Sequence, residues 1–267
     1  MIVLRSASEL RRIKAANQLV GQVLDVVREA VAPGMTTADL DALAERAIRD
    51  GGAAPAFKGY KGYPATICAS LNEQVVHGIP SSKTALKEGD IISIDLGALL
   101  DGFYGDSAVT VGVGVIAPKA AELLRVTEES LWKGIDAVRP GGRISDIGHA
   151  VQKHVEAFGF SVVREFVGHG IGSELHEEPQ IPNYGEPGRG PRLAEGMVLA
   201  IEPMVNAGGA GVKVLQDGWT AVTSDRSLSA HFEHTVAVTS DGVEVLSRPT
   251  GKESAHEGTS VSQAHLR

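Results

Sequence analysis

Residues 86–95, Leu-Lys-Glu-Gly-Asp-Ile-Ile-Ser-Ile-Asp, return as residues 193–202, Leu-Ala-Glu-Gly-Met-Val-Leu-Ala-Ile-Glu. Each stretch is a Glu-Gly turn feeding an apolar run that closes on an acid, Asp95 in the first and Glu202 in the second. The offset is 107 residues, and it also carries Val31-Ala-Pro33-Gly34, followed by Asp39-Leu40, onto Val138-Arg-Pro140-Gly141, followed by Asp146-Ile147. Two separated segments that share one offset point to a duplicated unit of helix, Pro-Gly turn, helix and strands. The alternative is two unrelated helix–turn–helix pieces with common turn chemistry. A period this long excludes a solenoid, whose repeats run roughly 20–50 residues. The expected fold is α/β (α+β), a pseudo-two-fold pair of halves, about 6–113 and 118–240, in one domain over 1–247.

Local signals fill in the halves. Ser6-Ala-Ser-Glu9 forms a capping box, and Leu10, Ile13, Val20, Leu24, Val27 and Val31 follow it at helical spacings. Pro33-Gly34 stops that helix. Thr37 is expected to cap a second helix, with Leu40, Leu43, Ala47 and Ile48 on one face and Gly51-Gly52 as its stop. A Gly/Pro-rich loop over 52–64 leads to a strand near 66–69. Residues 90–100 and 103–113 suit a hairpin turning at Asp101-Gly102. Helices are expected near 118–138 and 145–158, then strand and loop to about 247. The last stretch, 248–267, reads RPTGKESAHEGTSVSQAHLR, has almost nothing to bury, and is expected to be disordered.

The 267 residues are 43% hydrophobic and 22% charged, which excludes collagen-like and wholly disordered classes. Aromatics are only 4%, so Val, Ile, Leu and Ala must build the core. A net charge of −8 argues against a nucleic-acid protein, DNA included. One cysteine, Cys68, excludes an internal disulfide and suits a reducing compartment. Met1–Leu4 is too short for a signal core, and no apolar run approaches the roughly 18 residues of a spanning helix. A cytoplasmic monomer without a membrane partner is expected.

Asp95 and Glu202 close runs that read as buried strands, where a carboxylate is costly unless paired, protonated or bound to a cation. A second pair resembles the first: Asp106 precedes Ser-Ala-Val109-Thr-Val111, and Glu233 precedes His-Thr-Val236-Ala-Val238. The alternating valines make one strand face apolar, so each acid can point inward. Converging, the four could not all ionise without a counter-charge, which two divalent cations would supply. Separate salt bridges or hydrogen bonds are the alternative for any one of them.

Gly168-His169-Gly170-Ile171-Gly172 flanks an imidazole with glycines, which are expected to leave room for an ion or substrate. His176 lies seven residues on, in Leu-His-Glu-Glu-Pro, and His77 sits in a turn-rich segment. His149, His154, His231, His234, His256 and His265 are given structural or solvated roles, His234 with the most reserve because it adjoins Glu233. An oxygen-dominated set with one imidazole suits Mn²⁺, Fe²⁺, Co²⁺ or Zn²⁺. Paired ions activate water and polarise a scissile carbonyl, so a hydrolase follows.

At these residues the sequence resembles the type I methionine aminopeptidases, of the pita-bread fold. The likeness spans about 6–247 and rests on NEQVVHGIP around His77, SIDLGALLDGFYGDSA across Asp95 and Asp106, GHGIGSELHEEPQIPNYG around His169 and His176, LAIEPM at Glu202, and HFEHTVAVT at Glu233. The resemblance implies a curved, mostly antiparallel sheet covered by helices. It implies two divalent ions (Co, Mn, Fe or Zn) on Asp95, Asp106, His169, Glu202 and Glu233. Asp106 and Glu233 would bridge the ions, while His169 and Glu202 would serve one of them. His77 and His176 would be catalytic residues on the substrate side, and Glu202 the general acid/base. Tyr60, Tyr63, Cys68, His77, Leu175 and Trp219 would surround the methionine side chain, though Tyr60 and Tyr63 could simply close the Gly-rich loop. The implied substrate is the N-terminal methionine of nascent polypeptides whose second residue is small.

Glu202 follows His176 by only 26 positions, too few for the helical insertion of the type II branch. The large N-terminal domain of Xaa-Pro aminopeptidases is also absent. Leu175 stands where many relatives carry an aromatic. Arg5, Arg11, Arg12 and Lys14 make the first helix locally basic, which admits the ribosome as a partner, although a solvated helix face is the favoured explanation. A dipeptidase or Xaa-Pro peptidase, and a non-catalytic binding protein on the same fold, are the competing readings.

Overall fold

The computed structural model describes residues 1–248, so the tail expected over 248–267 lies outside the described residues from 249 onward. Helix α1 (Ala7–Ala30) starts at Ser6, whose hydroxyl accepts the Glu9 amide while the Glu9 carboxylate accepts the Ser6 amide at 2.9 Å. Helix α2 (Thr37–Asp50) is capped one residue earlier than the sequence suggested, by Thr36. The reason is spacing: counting from Thr36, the third helical position is Asp39, which closes a capping box, whereas counting from Thr37 it is Leu40. Thr37 is instead buried, and its hydroxyl accepts the Ser81 amide at 2.8 Å.

The strands of the first half are β1 (Ala54–Pro55), β2 (Ile67–Leu71), β3 (Gln74–Val76), β4 (Ile91–Leu100) and β5 (Phe103–Gly112). The β4–β5 hairpin turns at Asp101 (φ 49°) and Gly102 (φ 78°), both left-handed, as a tight two-residue turn between right-twisted strands requires. Helices α3 (Pro118–Asp136) and α4 (Ile144–Ala157) open the second half. It continues with β6 (Ser161–Val162), β7 (Gly168–Gly170), β8 (Glu177–Ile181), β9 (Val198–Ile201) and β10 (Met204–Asn206). The last strands are β11 (Val212–Val214), β12 (Ala221–Thr223), β13 (Ser229–His231), β14 (Glu233–Val238) and β15 (Val243–Val245).

Nine of these strands form one antiparallel sheet in the order β1-β4-β5-β14-β9-β7-β8, with β2 added to β4 and β15 to β14. The duplication is visible in its wiring. A bridge between Thr36 and Ala85 recurs between Arg143 and Arg192, and the Gly34 amide on Leu86 O recurs as the Gly141 amide on Leu193 O, both pairs at 2.8 Å. Contacts that repeat at the sequence offset rule out two unrelated helical pieces. The pseudo-two-fold relation therefore runs between the central strands β5 and β14, with β4 and β9 outside them.

Each half buries its own aliphatic core beneath its helices. Val20, Val23, Leu24 and Val27 of α1 and Leu40, Ala44 and Ile48 of α2 meet Ile92, Ile94 and Leu96 of β4. Leu123, Val126 and Leu131 of α3 and Ile147 and Val151 of α4 meet Leu199, Ile201, Val236 and Val238. Val109 packs against both cores. The basic residues of the first turns are largely engaged within the chain. Arg5 pairs with Glu177 at 2.5 Å, Lys14 with Glu244 at 2.6 Å, and Arg12 bonds Asp101 O with its guanidinium over Phe103. No helix among the described residues is long and apolar enough to cross a membrane.

Candidate active site

Strand alternation delivers the acids to the sheet face away from those two cores. On β4, Ile94 and Leu96 enter the helix-side core, so Asp95 between them leaves the opposite face. On β14, Val236 and Val238 enter the other helix-side core, and Glu233 faces away with Ala237, which packs beneath the cavity. Asp106 lies on β5 opposite Gly97 of β4, Glu202 directly follows β9, and His169 is the middle residue of β7, paired with Ala200. Asp95, Asp106, His169, Glu202 and Glu233 thus come from neighbouring strands of one sheet into one cavity of about 240 Å³.

Ligand-type atoms of Asp106, His169 and Glu233 lie within 4.8 Å of one another. Glu202 approaches through His169, whose Nε2 is 3.5 Å from Glu202 Oε1 and 3.9 Å from Asp106 Oδ2. Asp95 lines the same cavity, with the Asp106 carboxyl as its electrostatic neighbour. His169 Nδ1 is 2.9 Å from Gly170 O. A carbonyl only accepts, so Nδ1 carries the proton and Nε2 turns its lone pair toward the carboxylates.

The electrostatics are those of an uncompensated acidic cluster. Burial pushes the Asp95 carboxyl up to about 7. Burial, then mutual repulsion, raises Asp106, Glu202 and Glu233 well above the ordinary carboxylate range. The imidazoles offer no counter-charge: desolvation lowers His169 to about 4 and also depresses His77. His176 stands partly open at the mouth, yet desolvation and then its neighbours His169, Lys61 and His77 lower it to about 3. Asp95 Oδ1, Asp106 Oδ1 and Glu233 Oε1 are buried without a hydrogen-bond partner. Buried oxygens in that condition, with one imidazole lone pair among them, fit divalent cations with hard-to-borderline preferences.

The wall of the cavity is apolar and aromatic. Tyr60, Tyr63, Cys68, His77, Leu175, His176 and Trp219 all line it, as do Phe57 and Lys61, which no sequence signal singled out. Leu175 is buried in the cluster that holds Phe57, Tyr63 and Cys68. The two tyrosines line the cavity, and Tyr63 also closes the Gly-rich loop. The Tyr63 hydroxyl ties the loop by bonding Ile67 O at 2.9 Å and Gly78 O at 3.0 Å, while its ring meets Trp219 edge-on at 5.1 Å. The Tyr60 hydroxyl reaches His176 Nδ1 at 2.9 Å. His77 adopts φ 61°, a left-handed conformation rare outside glycine, and packs edge-on against Phe166 and Trp219. Burial in this wall raises the Cys68 thiol, which stays protonated.

Two expectations need correction. The glycines around His169 do not make room for an ion or substrate. A Cβ on Gly168 would meet Ala200 O at 2.3 Å, one on Gly170 would meet Glu178 O at 2.4 Å, and one on Gly172 would strike the Arg5 guanidinium. They let neighbouring backbone and Arg5 close on β7. Among the histidines given structural or solvated roles, it is His231 and not His234 that lies beside the acidic cluster. His234 Nδ1 bonds Ser247 Oγ at 2.8 Å and its ring meets Trp132, on the side away from Glu233. His231, assigned a structural role, instead places Nε2 3.7 Å from Glu202 Oε2. Its parity with Glu233, two residues on, was the signal.

Comparison with known proteins agrees with this geometry. The profile of Metallopeptidase family M24 matches residues 11–240. A methionine aminopeptidase 1 of Bacillus subtilis is 54% identical over 248 residues, covering 93% of this chain and 100% of its own. A methionine aminopeptidase of Clostridium acetobutylicum is 52% identical over 246 residues, covering 92% of this chain and 98% of its own. The crystal structure of a methionine aminopeptidase from Thermotoga maritima superposes with a TM-score of 0.92 at 49% identity, over 93% of this chain and all of that one, which establishes the pita-bread fold. With the M24 profile across its length and half its residues shared with such relatives, the chain belongs to metallopeptidase family M24 and, within it, to the methionine aminopeptidases, which are metallo-exopeptidases.

Proposed function

We propose that the chain removes the initiator methionine from nascent polypeptides in the cytoplasm when the second residue is small, acting as a monomer with two divalent ions (Mn, Fe, Co or Zn). The carrying observation is that the cluster of Asp95, Asp106, His169, Glu202 and Glu233 shares one cavity with a wall of Tyr60, Tyr63, Cys68, Leu175 and Trp219. The five cluster residues would hold the ions, with Asp106 and Glu233 common to both. When bound, the ions supply Lewis-acid polarisation of the scissile carbonyl and an acidified water.

The chain's own groups do the rest. Glu202 takes a proton at its carboxylate during attack and passes it to the leaving amine. His176 Nδ1 lies 2.9 Å from the Tyr60 hydroxyl, and with that hydroxyl as the donor Nε2–H is left to donate to the oxygen that becomes negative in the tetrahedral state. His77, held by Phe166 and Trp219, orients the peptide backbone. A thioether suits an aromatic and sulfur-bearing wall, because it is flexible and polarisable.

The test is cleavage of Met-Ala-Ser and Ala-Pro peptides by chelated protein resupplied with each metal in turn. Release of methionine is expected. Preference for the Ala-Pro peptide would assign the site to a proline-specific peptidase, and inactivity with every metal would assign the chain to binding without catalysis.

A further inference from the structure

The side chain of His231 is almost completely buried, at 1% exposure, and its Nε2 has no hydrogen-bond partner. An unsatisfied buried polar group is costly, so an apolar residue there would make the more stable protein. The ring is nevertheless held in place from its backbone. Thr110 Oγ1 accepts the His231 amide at 2.8 Å and donates to His231 O at 2.7 Å, and it is itself bonded to Ser93 Oγ at 2.8 Å. The nearest acidic oxygen to Nε2 is Glu202 Oε2, at 3.7 Å.

Glu202 is fixed at one end and divided at the other. Asn183 Nδ2 donates to its carbonyl at 3.0 Å, so the backbone is anchored. Its Oε1 faces His169 Nε2, which carries no proton because Nδ1 donates to Gly170 O. His169 therefore cannot donate to the carboxylate, and His231 can. Closing 3.7 Å to a hydrogen bond needs less than about 1 Å of side-chain movement, of the kind by which catalytic hydrogen bonds tighten in the working complex.

We propose that His231 is a positioning residue for Glu202: its neutral imidazole donates Nε2–H to Glu202 Oε2, which fixes the carboxylate so that Oε1 stays on the ion side with His169. This rests on the proposed role of Glu202. An outer partner that orients a metal-binding carboxylate matters to the affinity for the ion as well as to turnover. A residue that only filled space would be replaceable by any side chain of similar bulk.

Three variants separate these cases. His231→Leu keeps bulk and loses the donor, His231→Gln keeps a donor at about the reach of Nε2, and His231→Asn keeps an amide too short to reach. Each is chelated, checked for folding by its melting transition, and titrated with Mn²⁺ by calorimetry, with kcat and KM for Met-Ala-Ser measured alongside. Leu and Asn are expected to weaken Mn²⁺ binding and lower kcat roughly 10–100-fold, with KM changed by less than about threefold, and Gln to stay near wild type. Equal behaviour of Leu and Gln, whether both near wild type or both impaired, overturns the proposal. Should the Leu variant not fold, the contrast between Gln and Asn decides in the same way. If the wild-type protein binds Mn²⁺ but releases no methionine, the proposed function fails, and the ladder of Mn²⁺ affinities still decides the role of His231.

Discussion

Asp95→Asn should make the metal-free protein more stable in alkaline solution, although it removes a candidate ligand. Burial raises the Asp95 carboxyl from 3.8 to about 7, against an opposing pull from Asp106. A folded-state value above the unfolded one means the stabilising proton is fully present below the unfolded value and is lost as pH rises through about 7. The gap of about three units corresponds to about 4 kcal/mol at ~1.4 kcal/mol per unit. The neighbouring Asp106 carboxyl and local relaxation reduce this, so about 2–4 kcal/mol is expected. The amide cannot ionise and escapes the penalty. His169, His176, His231 and His234 are depressed to between about 3 and about 4 and destabilise the fold as pH falls below the ordinary histidine range. They are present in both proteins and cancel in the difference. The assay is urea unfolding of chelated wild type and variant at about pH 4.5 and about pH 8, where the variant should gain about 2–4 kcal/mol on wild type between the two. Adding Mn²⁺ at the higher pH should favour wild type again, because an ion that binds only the folded state stabilises it by mass action. A difference between the two proteins that does not change with pH would refute the reasoning.

Asp106→Asn should reduce turnover by at least roughly 100-fold at limiting metal, since a neutral amide serves two cations poorly, and near-normal kcat would remove Asp106 from the centre. His176→Ala should lower kcat by about 10²–10³-fold while metal content, measured by atomic emission, stays near wild type. Loss of metal in step with activity would make His176 a ligand instead. Leu175→Phe should raise the ratio of kcat/KM for Met-Ala-Ser over Leu-Ala-Ser, because filling the wall by a methylene or two is worth about 1–3 kcal/mol of discrimination. An unchanged or lower ratio would take Leu175 out of the pocket.

What the sequence disclosed follows the range of the forces involved. The acids were legible because an ionisable group closing an apolar strand conflicts with its neighbours in sequence, and period-two alternation says which face it takes. The duplication was legible because its turns use the same Glu-Gly and Pro-Gly chemistry at one offset. The pocket wall was another matter. Phe57 and Lys61 share the connection between β1 and β2, Leu175 and Trp219 come from two others, and only the resemblance placed the last two beside His77. The flanking glycines of His169 were legible as a demand for space, but what fills the space, Ala200 O, Glu178 O and Arg5, depends on strand packing and the N-terminal segment. The cap of α2 depends on a local cue, the spacing from Thr36 to Asp39, which adjacent identical threonines leave ambiguous by one residue.

The duplication supplies charge, and departures from it supply the chemistry. Asp95 and Glu202 are equivalent by offset, yet Asp95 lies inside β4 and Glu202 just past the end of β9, where Pro203 follows and the strand pairing has ended. The carboxyl within the strand has a neighbouring acid, Asp106, beside it. The carboxyl past the strand end reaches further, on a longer side chain, to two imidazoles on opposite oxygens. A group meant only to hold a cation gains from rigidity and from negative neighbours. A group meant to move a proton needs a donor that can approach and withdraw, and a main chain fixed by something other than the sheet, which Asn183 provides here. On the proposed roles, the same repeat yields a holding carboxylate in one half and a proton-moving one in the other, and the histidine at 231 belongs to the half that departs from symmetry.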